Sequence, residues 1–313
     1  MANALRAVID VGTNSVKLLI AEVLPEGLRP IHEESRQTRL GQGFYQTHRL
    51  QPAAITKTAE AVRDFAALAR DQDVRSIRVI ATSAARDAVN PDDLTNAILH
   101  ASGLRTEIIS GEHEAELAFQ GVASSGQLAH KPLLILDAGG GSTEFIVGHG
   151  DHKSFAHSFP LGTVRLLEQF PVSDPPTPAE LAANQDWLRE FFTTEIRPRL
   201  MPALKIAQRD EPIRLVGTGG TSTLLARLEH KLDRFDRDRI ESTVLTRAGV
   251  TAHRERLWRL PLAQRKEIPG LPKLRADVIL PGVLIFEMVM QEFDFTELRV
   301  STRGLRFAAV RGD

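Results

Sequence analysis

Cysteine is absent from the 313 residues, which removes disulfides, thiolate nucleophiles and cysteine-ligated zinc together. No apolar run approaches the ~20 residues of a membrane-spanning helix, and the N-terminus lacks the basic-then-apolar pattern of a secretory signal. A cytoplasmic protein with no membrane partner is expected. Charge of one sign is missing too: 39 Lys and Arg face 40 Asp and Glu, a net charge of −1, so nothing global announces a polyanion partner. One local excess lies between Arg227 and Arg275, where 13 basic residues meet 7 acidic ones; that surplus of 6 leaves −7 for the rest of the chain. Such a tract either guides a long phosphate chain or is a solvated helix face. HExxH, GxSxG and Walker patterns do not occur, nor does the aromatic–basic interleaving of nucleic-acid binders, so no nucleic acid is expected. His149 and His152, two of the ten scattered histidines, read as loop residues rather than half a metal site.

What is present is a soluble globular composition, 42% apolar and 25% charged, with enough length for two domains. The most informative stretch is LLILDAGGGSTEFIVG, Leu133 to Gly148. A buried apolar run reaches Asp137, turns through Gly139, Gly140, Gly141 and Ser142, and leaves as an alternating strand. The glycines can adopt φ > 0 and present backbone amides to an anion. A second strand follows the glycines where a Rossmann loop or P-loop would open a helix, so the pattern predicts a phosphate-binding β-hairpin. Asp137 and Glu144 flank it and suit a hydrated divalent cation. Residues 4–23, ALRAVIDVGTNSVKLLIAEV, repeat the design around Gly12, Thr13, Asn14 and Ser15. At one constant offset Asp10 falls on Asp137, Gly12 on Gly139, Ser15 on Ser142 and Lys17 on Glu144. Two lobes are therefore expected, 1–124 and 131–313, their hairpins facing across a cleft, with the final helix free to pack back on the first lobe.

Between the hairpins, 51–71 reads as a helix with Ile55, Ala59, Val62, Phe65, Ala66 and Ala69 on one stripe. Residues 77–81 form a buried strand, and Thr82 or Ser83 is placed to cap the helix carrying Arg86. Thr106 to Ile109 is a strand, followed by a helix capped by Ser110, with Glu112, Glu114 and Glu116 in its opening turns; spacing alone selects none of the three. Ala123 to Lys131 reads as the linker. In the second lobe Thr177 opens a capping box, and the long helix after it is expected to bend near Pro198 and Pro202. Gly217, Thr218, Gly219 and Gly220 form a third glycine-rich loop, whose strand-loop-helix order aims a helix N-terminus at an anion. Helices are expected over 245–257 and 273–291.

The sequence resembles the exopolyphosphatase / guanosine pentaphosphate phosphohydrolase family, within the superfamily of actin-like ATPases, sugar kinases and 70-kilodalton chaperones. The carriers are IDVGTNSVKLLIAE (9–22), ATSAARDAVN (81–90), IISGEHEAELAFQGV (108–122), LDAGGGSTEFIVG (136–148), PLGTVRL (160–166), GTGGT (217–221) and RADVILPGVLIFE (275–287). The resemblance implies two ribonuclease-H-like α/β domains of actin-like ATPase type with an interdomain cleft. It implies hydrolysis of a terminal phosphoanhydride of inorganic polyphosphate, with guanosine pentaphosphate as the alternative substrate. A sugar kinase and a non-catalytic polyphosphate or alarmone binder are weaker alternatives. The family's catalytic glutamate, the one before Ala in SGxxEA, corresponds to Glu114. Asp137 and Glu144, with Asp10 as a further candidate, would hold Mg2+ or Mn2+. Residues 12–15 and 139–142 would cradle phosphates, with Lys17 and Arg86 adding charge. Homodimers are common among such proteins. The chain departs from the family pattern at His113, commonly Glu, and at Glu116, commonly Arg. It is expected to be the short form, without the appended helical domain of longer members.

Overall fold

Apolar side chains on both faces make Ala4–Val11 (β1) and Ser15–Leu24 (β2) interior strands: Val8, Ile9, Leu18, Leu19 and Ile20 are wholly buried. They open the first of two compact units in the computed structural model, which describes residues 4–25, 27–126, 128, 130–208 and 211–312. That unit continues through β3 (Gly27–Gln37), α1 (Pro52–Asp71), β4 (Ser76–Ala81), α2 (Ser83–Arg86), α3 (Pro91–Ser102), β5 (Thr106–Ile108) and α4 (Gly111–Ala123). Its sheet order is β3-β2-β1-β4-β5, antiparallel through the hairpin and parallel from β1 onward. The predicted apolar stripe of α1 is buried at every named position.

The second unit repeats this plan. Strands β6 (Leu133–Ala138), β7 (Thr143–His149) and β8 (His152–Phe159) form an antiparallel meander. Helices α5 (Thr163–Gln169), α6 (Pro178–Phe191) and α7 (Arg197–Ala207) follow, then β9 (Arg214–Thr218) and α8 (Gly219–His230). The remainder is α9 (Arg237–Glu241), β10 (Val244–Thr246), α10 (Arg247–Arg259), α11 (Leu262–Arg265), α12 (Ile279–Glu292) and β11 (Glu297–Val300). The sheet order is β10-β11-β9-β6-β7-β8, with β6, β9 and β11 parallel. Helix α12 is buried from Ile279 to Met290, so it serves as the apolar spine of the unit.

The first unit comprises Met1–Ser124 and Gly304–Asp313, and the second Ser125–Arg303. The closing helix α13 (Leu305–Ala309) thus belongs to the first unit, where it packs on α4 and Arg306 donates to the Leu18 carbonyl at 2.7 Å. Of the linker 123–131, Gln127 and Ala129 lie outside the described residues, as do the chain ends Met1 and Asp313.

Several boundaries differ from expectation for local reasons. The long helix of the second unit breaks into a π-turn at Phe192–Ile196, just before Pro198, and Pro202 sits inside α7. Leu245 lies in the edge strand β10, paired with Leu298 of β11, so α10 starts only at Arg247. A 3-10 turn at Lys273–Arg275 follows Pro272, and the continuous helix begins at Ile279. No helix among the described residues is long and apolar enough to cross a membrane.

Candidate functional site

The two hairpins close in the same way. Gly12 N–H donates to the Ser15 carbonyl at 3.0 Å, and Gly139 N–H to that of Ser142 at 2.9 Å. A Cβ on either glycine would crowd the carbonyl it binds, at 3.2 and 3.1 Å. The register is equivalent as well: Asp10 lies opposite Lys17, and Asp137 opposite Glu144. Gly139, Gly140 and Gly141 do not use the left-handed backbone that their type permits. Another device orients their amides. The first turn of α5 donates to this loop, Thr163 N–H to Gly139 O at 3.0 Å and Val164 N–H to Gly140 O at 2.8 Å. The Arg165 guanidinium donates from Nε to Gly141 O at 2.8 Å. In a trans peptide C=O and N–H point oppositely, so anchoring these carbonyls on α5 turns the amides of Gly140, Gly141 and Ser142 away from it. The segment PLGTVR, which carried no role in the sequence, is this anchor. Gly162 makes it possible, since a Cβ there would stand 2.4 Å from Gly140 O.

The first hairpin is anchored from residues 39–41, with Gly41 N–H on Thr13 O at 2.7 Å and Arg39 N–H on Asn14 O at 3.1 Å. Around it, Asp10 Oδ1, Thr13 Oγ1, Asn14 Nδ2, Thr38 Oγ1 and Ser83 Oγ are buried without a hydrogen-bond partner among the described residues. Each such atom typically costs ~1–3 kcal/mol, so their concentration at one end of a sheet marks a place built for a polar ligand. Thr38 carries no signal in the sequence. The cap expected from Thr82 or Ser83 does not form: α2 is a single turn with no side-chain cap.

Glu114 is separated from its neighbours by burial. It is 6% exposed, whereas Glu112 is exposed and Glu116 is half-buried and accepts from Gln120. Ser110 caps α4 through His113 N–H, which fixes the first turn and with it the direction of Glu114. Arg86 is not a solvated cation; it donates to Glu114 Oε2 at 3.0 Å and to the Ile109 carbonyl at 3.2 Å. Lys17 stands 3.7 Å from Asp10 Oδ2 across the first hairpin.

In the second unit Asp137 and Glu144 are 9% and 1% exposed. Like charges directly opposite on a sheet are unfavourable, and a shared cation relieves them. Magnesium is commonly held by one or two carboxylates plus substrate phosphates, so these two oxygen donors fit it. Among the described residues no cluster of three or more Asp, Glu or His makes a ready metal site. Asp10, expected as a third ligand, lies in the first unit with Lys17 where its counterpart has Glu144. Asp137 also touches the third glycine motif: Gly219 has φ +82°, and a Cβ there would be 2.2 Å from Asp137 Oδ1. Gly217 and Thr218 belong to β9 rather than a loop, and Gly217 faces Ser222, Phe286 and Leu298 inside the unit. Gly220 lies beneath the Arg275 guanidinium, a cation at a helix N-terminus that the sequence did not flag.

Several cations of the basic tract have partners within the second unit. Arg237 pairs with Glu241, Arg247 with Asp294, and Arg254 forms a bidentate pair with the wholly buried Glu287. Arg227 donates to the carbonyls of Leu232 and Asp233, and burial lowers its pKa, as it does that of Arg265. These pairings place Arg237, Arg247 and Arg254 within the structure of the second unit.

The sequence and the fold both have counterparts among known proteins. The profile of the Ppx/GppA phosphatase family matches residues 19–309. Exopolyphosphatase 2 of Mycobacterium tuberculosis is 37% identical over 296 residues, 91% of this chain and 90% of that one. The crystal structure of an exopolyphosphatase from Cytophaga hutchinsonii superposes with a TM-score of 0.85 at 26% identity, covering 97% of this chain and 96% of that one. The Aquifex aeolicus PPX-GPPA enzyme superposes at 0.78 with 31% identity, covering 99% of both. With the match running through nearly every element described above, the chain belongs to the Ppx/GppA phosphatase family.

Proposed function

We propose that the chain is an exopolyphosphatase, hydrolysing the terminal phosphoanhydride bond of inorganic polyphosphate to release orthophosphate. The observation that carries this assignment is the burial of Glu114 beside Arg86 at the start of α4. A binder of polyanions gains nothing from a carboxylate there, whereas a hydrolase needs a base. Glu114 orients water and takes its proton as oxygen bonds to the terminal phosphorus; the anhydride P–O bond breaks, and the shortened chain leaves with that electron pair. Each hairpin would hold phosphate through its own backbone amides, the first with Lys17 beside them, and Arg86 fixes the Glu114 carboxylate. Mg2+ or Mn2+ at Asp137 and Glu144 would offset phosphate charge. Polyphosphate is preferred because a relative 37% identical over 91% of this chain is named an exopolyphosphatase. Orthophosphate release from polyphosphate and from guanosine pentaphosphate, assayed side by side with magnesium, tests the choice: faster release from polyphosphate is expected, and release from the nucleotide alone would overturn it.

Lys17 and Arg86 should separate kinetically. Lys17→Ala removes a phosphate contact and is expected to raise KM roughly tenfold, the effect of ~1.5 kcal/mol for one charge-assisted bond, with kcat little changed. Arg86→Ala also strips Glu114 of its guanidinium and should lower kcat as well. Steady-state kinetics on the two variants decide this; equal kcat losses would contradict the division of roles.

A further inference from the structure

Asp137 and Glu144 are the middle of a longer polar row. Register places Thr218 of β9 beside Asp137, Asp137 opposite Glu144 of β7, and Glu144 opposite Ser158 of β8. Directly paired residues share a sheet face, so four polar side chains cross four strands; the adjoining positions Leu136, Phe145 and Phe159 are buried and apolar, and Gly217 beside Thr218 lies against Phe286 and Leu298. Ser158 Oγ donates to Glu144 Oε1 at 2.7 Å. Thr218 is wholly buried, and its Oγ1 has no hydrogen-bond partner among the described residues. The equivalent row of the first unit reads Ile80, Asp10, Lys17 and Ser35, with an apolar residue in place of Thr218 and a built-in cation in place of Glu144. The hydroxyl at 218 and the carboxylate at 144 therefore distinguish the second row together.

We propose that Thr218 and Ser158 are positioning residues of a divalent-cation site at Asp137 and Glu144. Ser158 occupies one oxygen of Glu144 and so directs the other toward the cation. Thr218 supplies a buried hydroxyl that holds a water of the hydrated ion beside Asp137. A hydrated magnesium-type ion keeps several waters and needs such partners. This inference rests on the carboxylate pair being the metal site, as proposed above.

The test is binding of Mn2+ alone to the full chain, followed by the loss of the free-ion electron paramagnetic resonance signal, with no substrate and no turnover. Ser158→Ala and Thr218→Val are each expected to weaken Mn2+ binding by roughly tenfold or more, the usual cost of removing an outer-shell partner. Ser158→Thr and Thr218→Ser, which keep the hydroxyl, should stay near wild type. Asp137→Asn and Glu144→Gln should abolish binding. If the carboxylate variants lose Mn2+ while Ser158→Ala and Thr218→Val bind as wild type, the positioning roles are wrong and the metal site stands. If wild type binds no Mn2+, or the carboxylate variants bind it normally, both assignments fall. Should Thr218→Val lose its cooperative melting transition, Ser158→Ala with its threonine rescue decides the matter alone.

Discussion

Glu114→Gln is expected to bind polyphosphate at least as well as wild type and to turn it over more slowly by roughly 10²-fold or more. A general base contributes typically ~10²–10⁴-fold, and the amide keeps the shape and hydrogen bonding of the carboxylate while losing its capacity to accept a proton. Affinity should survive because no phosphate contact disappears and one negative charge near a polyanion does. The Arg86 guanidinium, now 3.0 Å from the carboxylate, keeps an oxygen acceptor in Gln. Glu112→Gln and Glu116→Gln provide the comparison, since one is exposed and the other accepts from Gln120. Binding and turnover on all three variants separate an enzyme from a binder that kept the fold. Unchanged turnover in Glu114→Gln would remove the proposed base.

Gly162→Ala tests the anchoring of the second hairpin. The added methyl carbon would stand 2.4 Å from Gly140 O and 2.5 Å from the carbonyl carbons of Gly140 and Gly141, backbone atoms that cannot swing aside. Gly162 itself is extended, with φ −152°, so the substitution strains no backbone of its own and its whole effect is to push the loop off α5. Displacing a binding loop by about 1 Å can cost ~10²-fold, and that loss in kcat/KM is expected here. Gly126→Ala is the control, because nothing lies within 4 Å of a Cβ there. Wild-type kcat/KM in a cooperatively folded Gly162→Ala would mean that the carbonyl anchor does not set the phosphate loop.

The part of this site legible in the sequence is the part built from local repetition. The constant offset that laid Asp10 on Asp137 and Lys17 on Glu144 also gave their cross-strand register, because turn closure by Gly12 and Gly139 fixes which residues face each other. What was illegible depends on partners far along the chain. Arg86 looked like a free cation until Glu114, 28 residues on, took it up. The surplus of basic residues over 227–275 concealed Glu287 and Asp294, which lie outside the tract and neutralise Arg254 and Arg247. Leu245 fitted a helical stripe, but a three-residue pairing with β11 claimed it first. Choosing among Glu112, Glu114 and Glu116 needed burial, which α4 acquires only by packing, α13 among its neighbours. Thr218 and Ser158 join the row of Asp137 and Glu144 only through strand register, which no local pattern encodes.

The most direct measurement is the product distribution from polyphosphate of defined length, incubated with the wild-type chain and magnesium and resolved over time. Hydrolysis of the terminal anhydride should release orthophosphate alone and shorten the chain from its end, with no fragments of intermediate size formed by internal cleavage. Internal fragments without orthophosphate, or a chain length that never changes, would contradict an exopolyphosphatase built on Glu114 and the paired hairpins.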